Sequence, residues 1–139
     1  MNSAPTPSPK ILRGEFGERR IRMAYNQKIG RWGEEAAAQY LRERGYEIVG
    51  QNARTPYGEI DLVANLGGVT VFVEVKARTS RRFGLPEEAV TPRKQARMTA
   101  AAAHYAALHE IDSWQADVLA VEGRPGLPPM IEHFENVLG

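Results

Sequence analysis

The segment "GEIDLVANLGGVTVFVEVKAR", residues 58–78, contains two apolar runs that three charged residues interrupt. Two runs rich in Val, Ile and Phe flank Gly67-Gly68, which is the pattern of two strands joined by a turn. Asp61, Glu74 and Lys76 interrupt these apolar runs. Strand interiors are poor in such residues, and a buried charge is costly unless something pairs with it. These three residues therefore either face water or form a site.

Side-chain alternation along the two strands predicts their register. A loop over residues 66–69 keeps the apolar side chains of both strands on one face and places Leu62 opposite Val73. The face expected to form the core carries Ile60, Leu62, Ala64, Val71, Val73 and Val75.

The same register places Asp61 opposite Glu74, with Lys76 two residues further along that face. Two carboxylates directly opposite one another are destabilising unless a cation lies between them or one is protonated. A hard divalent ion such as Mg²⁺ accepts one or two carboxylates and keeps several waters. The ammonium of Lys76 can stabilise charge that develops on a phosphate, or position the attacking water. The alternative is a solvated face on which Lys76 neutralises Glu59 or Glu74.

The rest of the chain predicts an α/β domain: a mixed central β-sheet flanked by helices, in the order α-β-β-β-α-β-β. One helix is expected from Asn26 to Arg44, ending at a glycine cap at Gly45, and a second from the capping Thr91 to His109. The remaining strands are expected at 46–52, 115–121 and 130–134. Residues 1–25 are expected to form a disordered or weakly ordered basic extension, and residues 26–139 a single folded domain.

Composition narrows the class of protein. The 139 residues, 42% hydrophobic and 25% charged, suit one domain with its own core. The chain has no cysteine, which excludes disulfides, thiolate chemistry and cysteine-ligated zinc. Apolar runs fall short of the ~20 residues of a membrane helix, and the N-terminus lacks the apolar stretch of a signal peptide. We expect a cytoplasmic protein without a membrane partner.

The net charge of +1 conceals two basic stretches. Residues 1–31 hold seven Lys/Arg against two acids, and residues 76–97 hold seven against two. Such stretches are either solvated faces or patches that bind the phosphates of a polyanion. The residues that suit phosphate contacts are Arg54, Arg78, Arg81 and Arg82 near the hairpin, and Lys94, Gln95 and Arg97 at the start of the second helix, where an exposed polar face is an equal alternative.

A longer pattern is specific to one family. The segments "GRWGEEAAAQYLRERGYEIVGQNAR", "GEIDLVA", "VFVEVKAR", "FGLPEEAV" and "RKQARM" resemble, in order and spacing, the YraN-type family of predicted endonucleases. Asp61 followed by Glu74-Val75-Lys76 resembles the D…ExK signature of the restriction-endonuclease-like, PD-(D/E)xK superfamily. The family is distantly similar to the Holliday junction resolvases. The resemblance covers residues 28–137.

The resemblance implies a function and a set of roles. By this resemblance the protein would be a metal-dependent endonuclease that hydrolyses phosphodiester bonds of DNA. Its substrates would be branched or structured DNA, and its cofactor would be Mg²⁺ or Mn²⁺. The alternative is a non-catalytic nucleic-acid-binding module of the same fold. Asp61 and Glu74 would bind the metal and Lys76 would be catalytic. Glu34 would bind metal directly or through water, or else be an ordinary solvated glutamate. Glu59 and Gln95 are expected to lie next to the metal ligands and hold them in position without binding the metal themselves, although Glu59 could equally pair with Lys76.

The chain departs from the family pattern near its end. Where the family commonly has Arg-Phe-Asp, this chain has Gln115-Ala116-Asp117, and "IEHFENVLG" lacks the usual aromatic finish. Both changes concern the packing of the late strands and a subunit interface. The sequence therefore does not decide whether the protein is a monomer or a homodimer. The sequence does not show whether the substrate is DNA or RNA, or whether it is branched or linear.

Overall fold

The computed structural model describes residues 15–80 and 90–139. Residues 1–14 of the N-terminal extension predicted for residues 1–25, and the predicted phosphate contacts Arg81 and Arg82, lie outside the described residues. The elements are helix α1 (Glu15–Glu43), strands β1 (Glu47–Thr55), β2 (Gly58–Leu66) and β3 (Val69–Arg78), helix α2 (Pro92–Leu108), and strands β4 (Trp114–Glu122) and β5 (Met130–Phe134). This order confirms the prediction from sequence.

The five strands form one mixed sheet in the spatial order β1-β2-β3-β4-β5. Neighbouring strands are antiparallel except β3 and β4, which are parallel. A parallel pair needs a crossover connection, and α2 provides it. The crossover sends α2 to one face of the sheet, while α1 covers the other.

Two hydrophobic cores lie on the two faces. Under α1 the buried residues are Ala37, Ala38, Leu41, Leu62, Ala64, Val71, Val73, Leu119 and Val121. Under α2 they are Ile60, Val63, Phe72, Met98, Ala101, Ala102, Ala106, Ala116 and Val118. The domain is therefore a three-layer α/β/α structure, with no helix in the described part long and apolar enough to cross a membrane.

Helix α1 begins earlier than predicted, at Glu15 instead of Asn26. Its residues 18–28 are all exposed, and burial begins at Ile29. We call residues 17–28 the N-terminal arm. Because the arm buries no side chain, it lacks the apolar periodicity by which a helix is recognised in a sequence. The predicted cap at the other end is confirmed: Gly45 adopts φ 90° and its N–H donates to the carbonyl of Arg42.

The approach of α1 to the sheet depends on Gly33. A Cβ atom at this position would collide with Cβ of Ala77 in β3. The absence of a side chain therefore lets the helix lie close to the strand that carries Glu74 and Lys76. A Cβ atom at Gly30, one turn earlier, would have nothing within 4 Å, so Gly30 does not share this role.

The hairpin register is confirmed where the strands pair, since Leu62 pairs with Val73 and Asn65 with Thr70. The pairing ends at Leu62–Val73 and does not extend to the predicted pair of Asp61 and Glu74; instead the side chain of Asp61 accepts the backbone N–H of Val75. The connection is shorter than predicted: Leu66 and Val69 also pair, which leaves a two-residue turn of Gly67 and Gly68 with φ values of 59° and 87°. Positive φ at both central residues is characteristic of a type I′ turn, which favours glycine.

One part of the predicted strand face is wrong. Ile60 packs with Val63 under α2, not with Leu62 under α1. Between the pairs Gln51–Leu62 and Ala53–Ile60, β1 carries Asn52 in the left-handed region at φ 49°. This residue interrupts regular alternation next to Asp61, and asparagine tolerates that conformation better than most residues.

Candidate active site

An open cleft lies beside the hairpin, between the middle of α1 and the end of β3. The described residues that line it are Tyr25, Asn26, Ile29, Gly30, Glu34, Asp61, Glu74, Val75, Lys76, Ala77, Arg78, Thr79 and Ser80. The set contains the Asp, Glu and Lys of the predicted site together with Glu34. Four residues from three elements, α1, β2 and β3, thus share one cavity.

Asp61 is half-buried at the side of β3. Its Oδ2 accepts a hydrogen bond of 2.8 Å from the backbone N–H of Val75. Burial, followed by the negative charge of Glu74, raises the pKa of Asp61 to about 7, although the hydrogen bond from Val75 opposes the shift. Glu34 and Glu59 add smaller repulsions. Asp61 is consequently a carboxylate that a nearby cation would stabilise in its charged form.

Glu74 is held by two bases from α2. Its Oε2 lies 3.2 Å from Nζ of Lys94, and its Oε1 lies 3.2 Å from Nη2 of Arg97. The first turn of α2 positions Lys94, whose backbone N–H donates to Oγ1 of the capping Thr91. Both carboxylate oxygens of Glu74 are therefore engaged by positive charge.

Lys76 lies in the cleft with a lowered pKa. Partial desolvation is the main cause, and the positive charges of Lys94 and Arg78 add to it. A lysine in this environment exchanges its proton closer to neutral pH than an isolated lysine does. The alternative expectation was that Lys76 neutralises Glu74; in the structure Lys94 and Arg97 pair with Glu74.

Asn52 joins two acids near the cleft. Its Nδ2 donates to Oε1 of Glu34 at 3.1 Å and to Oε1 of Glu59 at 3.3 Å. These contacts hold the Glu34 side chain, which comes from α1, next to β1. Sequence reasoning did not single out Asn52, although an asparagine inside a strand pattern was a signal of a left-handed residue.

Other residues with predicted roles are dispersed. Arg78 lines the cleft, while Arg54 lies on β1 with its Cα opposite Glu59 and is not among the described lining residues. Gln95, expected to support the site, donates from Nε2 to the carbonyl of Val137 at 3.2 Å. It therefore ties α2 to the C-terminal segment. Tyr25 and Asn26 line the cleft but were assigned no role from sequence.

The donor set suits a hard divalent cation. Within residues 15–80 and 90–139, no cluster of three or more His, Asp or Glu is placed to hold a metal. Mg²⁺, however, is commonly bound through one or two carboxylates with water completing its shell. Asp61 is half-buried and repelled by Glu74, so a bound cation would relieve a repulsion that exists without it. Asp61 and Glu74 would hold the ion, with Glu34 at the opposite wall of the cleft.

Fold and cleft together define the class: an α/β/α domain with carboxylates and a lysine beside its central hairpin. The chain belongs to the UPF0102 family. Residues 33–121 match the model described as "Uncharacterised protein family UPF0102". A UPF0102 protein of Syntrophomonas wolfei is 58% identical over 80 residues, covering 58% of this chain and 70% of the relative. Another, from Dehalococcoides mccartyi, is 41% identical over 119 residues, covering 84% and 98%.

Proposed function

We propose that this protein is a divalent-metal-dependent nuclease that hydrolyses phosphodiester bonds of DNA, with branched or structured DNA as its preferred substrate. The observation that carries the proposal is the meeting of Asp61, Glu74 and Lys76 in one open cleft, with Asp61 desolvated and repelled by Glu74. A metal-binding site accounts for this arrangement, whereas a structural face would avoid it.

The chemistry divides between the cation and the chain. When bound, Mg²⁺ or Mn²⁺ supplies charge neutralisation at the phosphate and activation of water. Asp61 and Glu74 would hold the ion. Lys76, whose pKa is lowered, is suited to hold or transfer a proton at the attacking water and to stabilise charge on the phosphate oxygens. Arg78 lines the same cleft and can bind an adjacent phosphate.

The test is cleavage of a panel of linear, flapped and four-way DNA with Mg²⁺ or Mn²⁺. We expect cleavage of at least one structured DNA, abolished by EDTA. Asp61→Asn should lower the rate by at least about 100-fold, the scale of losing one strong electrostatic group. Asp112→Asn, on an exposed residue between α2 and β4, makes the same chemical change outside the cleft and should leave the rate unchanged.

The ion pairs of Glu74 favour a second candidate, a non-catalytic nucleic-acid-binding module. Lys94 and Arg97 occupy both oxygens of a proposed metal ligand. Tight DNA binding without cleavage in either metal would select this candidate. Cleavage that persists in EDTA would contradict the metal-dependent mechanism itself.

A further inference from the structure

The N-terminal arm is an exposed basic helix that leads directly into the cleft. Residues 17–28 contain four Lys/Arg and one acid, and Arg31 follows within the next turn of α1. The arm buries no side chain in the described structure, yet Tyr25 and Asn26 at its end line the cleft. The arm precedes residues 33–121, the part of the chain that the family model matches.

Helical periodicity separates the basic residues of the arm into two faces. Arg19 lies seven residues before Asn26, and Arg22 lies seven before Ile29, and both of these later residues line the cleft. Seven residues are nearly two turns, with a drift of only about 20°. Arg19 and Arg22 therefore point in nearly the same direction as the cleft wall.

The remaining arginines point away. Arg20 lies nine residues before Ile29, which is two and a half turns and hence the opposite side of the helix at about 3.6 residues per turn. Arg31 lies about 160° from Ile29 by the same calculation. These two residues define a back face with the same charge as the cleft face.

We propose that Arg19 and Arg22 bind the phosphate backbone of the nucleic acid beyond the cleft, which extends the proposed substrate-binding surface along the N-terminal arm. The proposal rests on the proposed function for its ligand. A rise of about 1.5 Å per residue places Arg19 and Arg22 about 10 Å beyond Asn26 and Ile29. For a duplex whose axis runs along the arm, phosphates of one strand recur every ~3.4 Å, so the contacts would lie about three nucleotides outside the cleft.

The test compares two double variants with equal charge loss. Arg19→Gln with Arg22→Gln removes the cleft-side pair, and Arg20→Gln with Arg31→Gln removes the back pair. Glutamine has nearly the helix propensity of arginine, so the helix persists, which circular dichroism verifies. Binding to a 30-base-pair duplex is measured by fluorescence anisotropy in EDTA over a range of salt concentrations.

We expect the cleft-side variant to lose about tenfold in affinity and to reduce the slope of log K against log salt by about two units, one for each lost phosphate contact. The back variant should change affinity by less than about twofold.

Equal losses in both variants, or no loss in either, would overturn the proposal. So would a cleft-side variant that loses binding to anionic phospholipid vesicles while its DNA binding is unchanged, because the arm would then be a membrane-binding helix. The outcome is separable from the nuclease proposal. If the wild-type protein does not cleave DNA but the cleft-side variant binds DNA more weakly than the back variant, the phosphate-contact proposal holds and the nuclease proposal fails. If the wild-type protein cleaves DNA but the two variants bind it equally well, only the phosphate-contact proposal fails.

Discussion

Asp61 is the residue whose environment is most unusual, because burial and Glu74 raise its pKa to about 7. The folded pKa lies above the ordinary value of 3.8, so the stability that depends on its protonation is fully present below about pH 4 and is lost as pH rises through 7. Without metal, the charged carboxylate is therefore a destabilising feature of the folded protein at pH 8.

Asp61→Asn should consequently stabilise the metal-free protein, and more so at high pH. The amide keeps an oxygen that can accept the N–H of Val75. In EDTA we expect the melting temperature to rise by roughly 3–6 °C at pH 8, on the order of 1 kcal/mol, and by much less at pH 5. Asp112→Asn should show no such pH dependence. A lower melting temperature for Asp61→Asn at pH 8 would mean that Asp61 is a structural partner of Val75.

Residue-scale features divide into those that sequence reveals and those that it does not. Strand alternation was enough to place Asp61 near Glu74, because the period of two leaves few registers. Alternation could not place Ile60, since the left-handed Asn52 interrupts the neighbouring strand. The ion pairs of Glu74 with Lys94 and Arg97 were also hidden, because they depend on how α2 lies over β3.

Among the elements, the contact of α1 with β3 depends on the missing side chain at Gly33. Gly33→Ala should lower the free energy of unfolding by about 1–3 kcal/mol, because the collision with Ala77 outweighs the ~1 kcal/mol gain in helix propensity. Urea unfolding measures the change. Gly30→Ala, where the new methyl group meets nothing, should instead stabilise by about 0.5–1 kcal/mol.

A double-variant cycle isolates this contact. Ala77→Gly in the background of Gly33→Ala removes the opposing methyl group and should recover part of the lost stability. If the two substitutions are simply additive, the collision does not set the distance between α1 and β3. The strand and helix boundaries around this contact were predicted well, except at the start of α1, where exposed residues carry no apolar pattern.

At the scale of the whole molecule, Asp117 connects several parts of the fold from a fully buried position. It accepts hydrogen bonds from Gln115 Nε2 at 2.9 Å and from the backbone N–H of Asn136 at 2.9 Å, and its Oδ2 lies 2.7 Å from Nε2 of His133. His133 in turn meets the hydroxyl of Tyr40 on α1 through Nδ1, at 3.2 Å. One carboxylate thus links β4, β5, α1 and the C-terminal segment.

Asp117→Ala should destabilise the protein by about 3–5 kcal/mol, because it leaves buried donors without an acceptor. Gln115→Ala removes only one donor and should cost about 1 kcal/mol. Urea unfolding compares the two, and hydrogen exchange should show early loss of protection in β5 for the Asp117 variant. Similar, small effects of both substitutions would show that the network contributes little. Sequence placed Asp117 in a strand but gave no sign of two of its partners, His133 and Asn136, which lie 16 and 19 residues further along the chain.

The pairing of Glu74 with Lys94 and Arg97 has a thermodynamic consequence for the whole protein. A cation that binds Glu74 must compete with these two bases, whereas phosphates of a bound nucleic acid would attract the same bases. Ca²⁺ and DNA should therefore bind with positive cooperativity, and by reciprocity each should lower the dissociation constant of the other by the same factor.

Calorimetric titration of Ca²⁺ with and without a 30-base-pair duplex measures this coupling. Arg97→Gln, which leaves Glu74 with one base, should bind Ca²⁺ more tightly in the absence of DNA and show weaker coupling than the wild type. Coupling of the same size in both proteins would place its origin elsewhere. With the predicted result, Lys94 and Arg97 act as exchangeable counterions: they pair with Glu74 in the free protein and move to the phosphates when nucleic acid binds, which leaves Glu74 available to a cation.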